Sequence, residues 1–257
     1  MIAQARRASL ASISKSGYPN GFWWRPRAKG NFMSSGVPRH DSLIRKIRRQ
    51  PLVRKIWSDR RLHLLVTDAT CSAPATTLEI GINNFQHLSR FEQTTSWLTR
   101  DVFLSLSRRH CERRDCYIFT VADAHGPLLG YGMAEANAIQ SRYTEVDQRV
   151  RWPKGTATLF SDFVHPEARG RGIHSVLQAA RINFLIREAG MRWIVSAVEA
   201  DNLSAMRSAR KTSFRFAATL ETRFRLGFHL CAVSVIDPTF DAQFLDDPRY
   251  EVNDSYS

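Results

Sequence analysis

From residue 165 to residue 177 the chain reads HPEARGRGIHSVL, with two arginines and two glycines alternating at its centre. Glycine lets a backbone adopt positive φ and approach a bound group with no Cβ in the way. The preceding TATLFSDFV (156–164) is rich in β-branched and aromatic residues, which predicts a strand. After it, Ile173, Val176, Leu177, Ala180, Phe184 and Leu185 recur at helical spacing. The glycines therefore fall where a strand passes into a helix N-terminus. There, N–H groups without helical partners and the helix dipole hold anions. The N–H groups from Arg171 to Ser175, with the charges of Arg169 and Arg171, make a cradle suited to a pyrophosphate.

A second set of residues follows the next expected strand: Asn202, Ala205, Lys211 and Phe214. Together the two sets resemble the GNAT family of acyl-CoA N-acyltransferases. The family's Arg/Gln-x-x-Gly-x-Gly/Ala motif is matched by Arg169, Gly172 and, imperfectly, His174. Its Asn-x-x-Ala motif is matched by Asn202 and Ala205, with Lys211 and Phe214 downstream and Ser213 where glycine is usual. The resemblance spans residues 61–236.

The resemblance implies a mixed, mostly antiparallel α/β sheet with helices on both faces and a splayed pair formed by the family's strands 4 and 5. It implies acetyl-CoA as cosubstrate, its pyrophosphate held by Arg169, Gly170, Arg171, Gly172, Ile173, His174 and Ser175. Val164 offers backbone groups to the pantetheine arm at the splay, and Asn202 contacts that arm or braces the splay. The His174 imidazole stands where a small residue is usual; it is expected to turn outward, the alternative being a donor to phosphate. The tyrosine that often serves the family as general acid, seven residues after the Asn, is Ala209 here, with Ser208 beside it.

Transfer to an amine needs a base, and carboxylates on the strands lining the splay are the candidates. Asp162, two residues before Val164 and on the same strand face, is the leading one; Glu135 and Glu199 are the others. Pairing with an arginine is the competing role for Asp162, and capping the next helix the competing role for Glu199. Tyr131 and Trp152 either shape the acceptor pocket or pack the core. The expected activity is N-acetyl transfer to the primary amine of a small molecule of amino-sugar or amino-acid type. The alternative is a catalytically weak acyl-CoA-binding protein attached through a basic N-terminus to a partner or membrane surface.

The elements that must position these residues are expected within residues 61–236. Strands are predicted at 61–69, 76–82, 116–122, 128–138, 156–164 and 191–200, and two more close the domain, turning at Gly227. Helical stretches are predicted over 84–92, 96–112, the segment after Gly172, and 202–211, while 139–155 is predicted to be a polar loop. The net charge of +13 is uneven: residues 1–61 carry fifteen Lys/Arg against Asp41 and Asp59, and the remainder carries 22 basic and 22 acidic side chains. Nucleic-acid binding by the main domain loses its electrostatic basis. Residues 1–60 read as a basic, largely disordered extension. Within it, residues 41–57 suggest a short amphipathic helix that docks on the domain or meets a membrane surface or acidic partner.

The acidic segment 237–257 reads as a disordered tail. Four cysteines without metal-ligand spacing suggest free thiols, no metal site and a reducing, cytoplasmic setting. The Arg- and Ser-containing, acid-free start suggests organellar import as the alternative.

Overall fold

The computed structural model describes residues 57–246 apart from 73–75, 77, 97, 124–125 and 226–227. The basic extension as far as residue 56, most of the 41–57 helix and the turn at Gly227 lie outside the described residues.

Eight strands form one sheet. In chain order they are β1 (Trp57–Thr67), β2 (Glu79–Ile82), β3 (Cys116–Ala122), β4 (Leu128–Glu135), β7 (Thr156–Val164), β8 (Trp193–Glu199), β9 (Arg215–Arg225) and β10 (Phe228–Val235). Their spatial order is β10-β9-β1-β8-β7-β4-β3-β2. Among these neighbours only β7 and β8 run parallel. A second sheet of three strands is ordered β11-β6-β5, with β5 (Gln140–Tyr143), β6 (Gln148–Arg151) and β11 (Gln243–Phe244). The helices are α1 (Phe85–Leu88), α2 (Arg100–Cys111), α3 (Ile173–Arg187) and α4 (Leu203–Ala209). Asn84 and Thr99 cap α1 and α2 through their side-chain oxygens, which fixes helix starts that apolar spacing leaves vague.

Helices cover both faces of the large sheet, because alternate strand residues point to opposite sides. A Cβ on Gly130 would meet Ile173 and Leu177 of α3, whereas the next residue, Tyr131, packs with Phe91 and with Phe103 of α2. α3 buries Val176, Leu177, Ile182 and Leu185 against Phe119, Val121, Leu159 and Ile194. On the α2 side, the small sheet covers β1, β8 and β9 through Val146, Val150, Trp152, Phe240 and Phe244.

Three expectations need correction. Residues 139–155 are not a plain loop but carry the β5–β6 hairpin. Its strands are too polar to show in a hydrophobic pattern; Gln148 is buried instead, donating to the Glu221 carbonyl and the Thr222 hydroxyl. The acidic tail is ordered through Asp246, because Phe240 and Phe244 enter the core and Asp246 takes a forked pair from Arg149. The first strand begins at Trp57 rather than 61. Its polar opening is held by cross-strand charge, Asp59 with Arg225 and Arg61 with Glu221.

Candidate functional site

The site begins with a defect in a ladder. β7 pairs with β8 only from Thr156↔Trp193 to Leu159↔Ser196. Immediately beyond, β7 bulges: Tyr131↔Phe163 and Met133↔Phe160 leave Ser161 and Asp162 together opposite Gly132. Ser161 takes φ 53° to make the bulge, a strain of about 1–3 kcal/mol for a residue with a Cβ. The bulge turns β7 away from β8 and opens a notch. The β8-facing backbone of Phe160 to Val164 is not taken by β8, and on its other edge Val164 pairs with Gly130.

The cradle lies just past the end of β7. Gly170 and Gly172 have φ 82° and 77°, and open space surrounds the place of a Cβ at both. Glycine is needed here for the sign of φ rather than for clearance. Gly172 is the N-cap of α3, and no side chain caps this end. The first-turn N–H groups of Ile173, His174 and Ser175 lack helical acceptors, as at any helix start. Arg169 and Arg171 are exposed beside them, Arg171 with Asp123 at 3.9 Å. Ile173 gives only its backbone, since its side chain is core. An uncapped 15-residue helix behind two positive-φ glycines fits an anionic diphosphate.

A cavity of about 410 Å³ adjoins the cradle, lined by Thr70, Cys71, Ser72, Ser175, Lys211 and Thr212 among others. Asn183 fixes its rim, accepting from the Cys71 N–H and donating to the Cys71 carbonyl. Burial pushes the Cys71 thiol up, so it stays protonated. Ser213, in the position where glycine is usual, ties β1 to this rim through the Thr67 hydroxyl and the Ala69 carbonyl.

The three candidate carboxylates part company. Asp162 does point to the α3 side, as Val164 does, but it is spoken for. Its Oδ1 accepts from Arg181 Nη1 at 2.6 Å and its Oδ2 faces His174 Nε2 at 3.3 Å. Arg181 is fully buried, and Gly132 leaves the space for the pair: a Cβ there would sit 2.6 Å from both partners. Burial alone would raise the Asp162 carboxyl, but Arg181 and His174 outweigh it and hold it far below the usual carboxylate range. A group held so acidic is a weak proton acceptor, and its bond to Arg181 is the competing role expected for it.

Glu135 stands opposite Thr158, where β7 is still paired with β8, and binds Arg113 at 2.5 Å; the fold does not bring it to the notch. Glu199 ends β8, three residues beyond the last pair with β7. Burial, Asp201 and Glu145 raise its carboxyl, with Arg60 opposing.

The other residues fall as follows. Asn202 caps α4, accepting from Ala205 N–H at 3.1 Å. Tyr131 and Trp152 are core; Trp152 donates to Ser141 Oγ. Ala209 is buried against Leu65 and Val198. His174 does not turn outward: its Nδ1 lies 2.8 Å from Ser208 Oγ. Sequence reasoning missed Arg181. The signal was there, an arginine at the same helical spacing as Leu177 and Leu185, inside the apolar stripe of α3.

A strand that bulges away from its parallel neighbour, followed by two positive-φ glycines and an uncapped helix, leaves free strand backbone beside an anion-binding helix end. The acetyltransferase (GNAT) family profile matches residues 82–214, and the chain belongs to that family. Comparison with curated proteins gives no match. Among solved structures, the chain is similar to a GNAT acetyltransferase from Colwellia psychrerythraea (16% identity, 66% of this chain and 57% of that one, TM-score 0.43). It is also similar to the aminoglycoside N-acetyltransferase AAC(6')-Iy in complex with CoA (17% identity, 53% and 88%, TM-score 0.39). A Drosophila protein overlaps at 12% identity and TM-score 0.43 over 76% of this chain and 57% of its own. The chain thus spans little more than half of the Colwellia and Drosophila chains.

Proposed function

We propose that the chain acetylates the primary amine of a small molecule, of amino-sugar or amino-acid type, with Glu199 as the base. The observation that carries this reading is the pairing of an uncapped cradle on one side of the notch with a carboxylate-rich surface on the other. Acetyl-CoA, when bound, supplies a thioester carbonyl open to attack and a thiolate leaving group. The cradle from Arg169 to Ser175 holds the diphosphate, and Lys211 with the hydroxyls of the adjoining cavity suits a further phosphate. The freed backbone of Phe160 to Val164 offers hydrogen bonds to an extended amide-bearing arm.

On the other strand, Glu145, Glu199 and Asp201 make a local negative field that favours an ammonium group. The raised Glu199 carboxyl is the better matched of the notch carboxylates to accept that ammonium's proton near neutrality. The neutral amine then attacks, and hydrogen-bond donors at the fork stabilise the oxyanion. The test is thiol release from acetyl-CoA against a panel of primary amines. At least one amine is expected to accelerate release above the rate with water alone; a panel without any acceleration would overturn the amine reading.

A further inference from the structure

Four side chains from separate parts of the chain form one line from the core to the cleft. Arg181, in the buried middle of α3, bonds Asp162 on the β7 bulge at 2.6 Å. Asp162 faces His174 Nε2 at 3.3 Å, and His174 Nδ1 lies 2.8 Å from Ser208 Oγ on α4. His174 is the second residue of α3 after the Gly172 cap, so the line ends on a hydroxyl beside the cradle. Ser208 is half-buried, while Ala209 next to it is turned into the core. Consecutive helical residues differ by about 100° in direction. The hydroxyl therefore occupies the helix face that looks toward α3.

We propose that Ser208, His174 and Asp162 form a proton relay to the leaving sulfur, supplying the acid that Ala209 cannot; the proposal rests on the acetyl-CoA reading above. With the imidazole protonated, Nε2–H donates to Asp162 and Nδ1–H donates to Ser208 Oγ, which leaves the Ser208 O–H free to donate toward the sulfur. As the C–S bond breaks, the Ser208 proton passes to the thiolate and the Nδ1 proton passes to Oγ. The products are a thiol, an intact serine and a neutral imidazole with its proton on Nε2. His174, with 31% of its side chain exposed, regains a proton from water. The amine's own proton leaves through the base, so charge and atoms balance. Arg181 keeps Asp162 ionised and fixed, and Asp162 fixes the ring; these two are positioning residues. The arrangement has the logic of a serine–histidine–aspartate triad run in the acid direction.

A simple structural tie between α3 and α4 makes a different forecast. NMR of the His174 ring in the full chain, with CoA and with desulfo-CoA, separates the two. Both ligands are expected to raise the Tm, but only CoA should move the His174 ring resonances, and Ser208→Ala should abolish that movement while keeping the Tm rise. In turnover, His174→Gln can bridge Asp162 and Ser208 but cannot carry a proton between them. Its kcat is expected to fall by about 10²-fold or more with KM for acetyl-CoA unchanged, while Ser208→Thr, which keeps the hydroxyl, retains most of the rate. An identical His174 response to CoA and desulfo-CoA, or a wild-type kcat in His174→Gln, overturns the relay alone. Failure of CoA to bind at all overturns the acetyl-CoA reading and the relay with it.

Discussion

Beyond Leu159 and Ser196, where β7 and β8 part, each strand carries one carboxylate, and the two meet opposite surroundings. Asp162 on β7 has a buried guanidinium and an imidazole against it and is held strongly acidic. Glu199 on β8 has two further carboxylates near it and is raised. Burial pushes both upward; the sign of the neighbouring charge decides the outcome. In the proposed reading one strand thus bears an anchor and the other the base, and position along a strand does not by itself say which is which.

The anchor should be the costlier to remove from the fold. Asp162→Asn takes the countercharge away from buried Arg181; because the Asp162 side chain is 31% exposed, the cost falls below the about 3–5 kcal/mol of a fully buried pair, and thermal or urea unfolding reads it directly. Because the Asp162 carboxyl is lower in the folded state than in the unfolded chain, its contribution is complete above about pH 4. It fades as pH falls below that point, and Asp162→Asn should show a flatter acid limb of stability.

Gly132→Ala attacks the same pair from the opposite strand. Its Cβ would press on both Arg181 and Asp162, and overpacking of this kind costs about 1–3 kcal/mol. An unchanged Tm would mean that the pair is looser than its 2.6 Å contact indicates.

Arg169→Glu leaves both carboxylates alone and tests the cradle between them. Acetyl-CoA at a hundred times its Kd should stabilise the wild type by about 2.7 kcal/mol. The variant should lose most of the corresponding Tm rise in a thermal-shift assay, and a full rise would place the diphosphate elsewhere.

The smallest effect is expected from Glu199→Gln on stability. A carboxyl raised in the folded state is costly to keep ionised there, so stability declines as pH rises through its titration. The amide removes that cost, and the variant should melt slightly above the wild type at pH 8. A drop in Tm would indicate that Glu199 has a stabilising partner.

Much of this geometry was legible where local chemistry and periodicity agree. TATLFSDFV forms the strand at the predicted limits, and Gly172 stops where α3 begins. The cradle was readable because glycines at a strand-to-helix turn leave few backbone options. The small sheet was not, because Gln148 and a few separated aromatics carry its burial. An arginine partner for Asp162 was an open alternative, but which arginine, and the contact of His174 with Ser208, were hidden for a different reason. The partners, Arg181 and Ser208, come from other turns and elements, and a bulge decides which side chains meet.

The pH profile of kcat/KM with an accepted amine, for wild type, Glu199→Gln and Glu135→Gln, tests most directly which carboxylate takes the amine's proton. The β8 base requires Glu199→Gln to lose about 10²–10⁴-fold and the acidic limb of the profile, while Glu135→Gln, paired with Arg113 away from the notch, follows the wild type. A Glu199→Gln profile that overlays the wild type from pH 5 to about pH 9 would contradict the account.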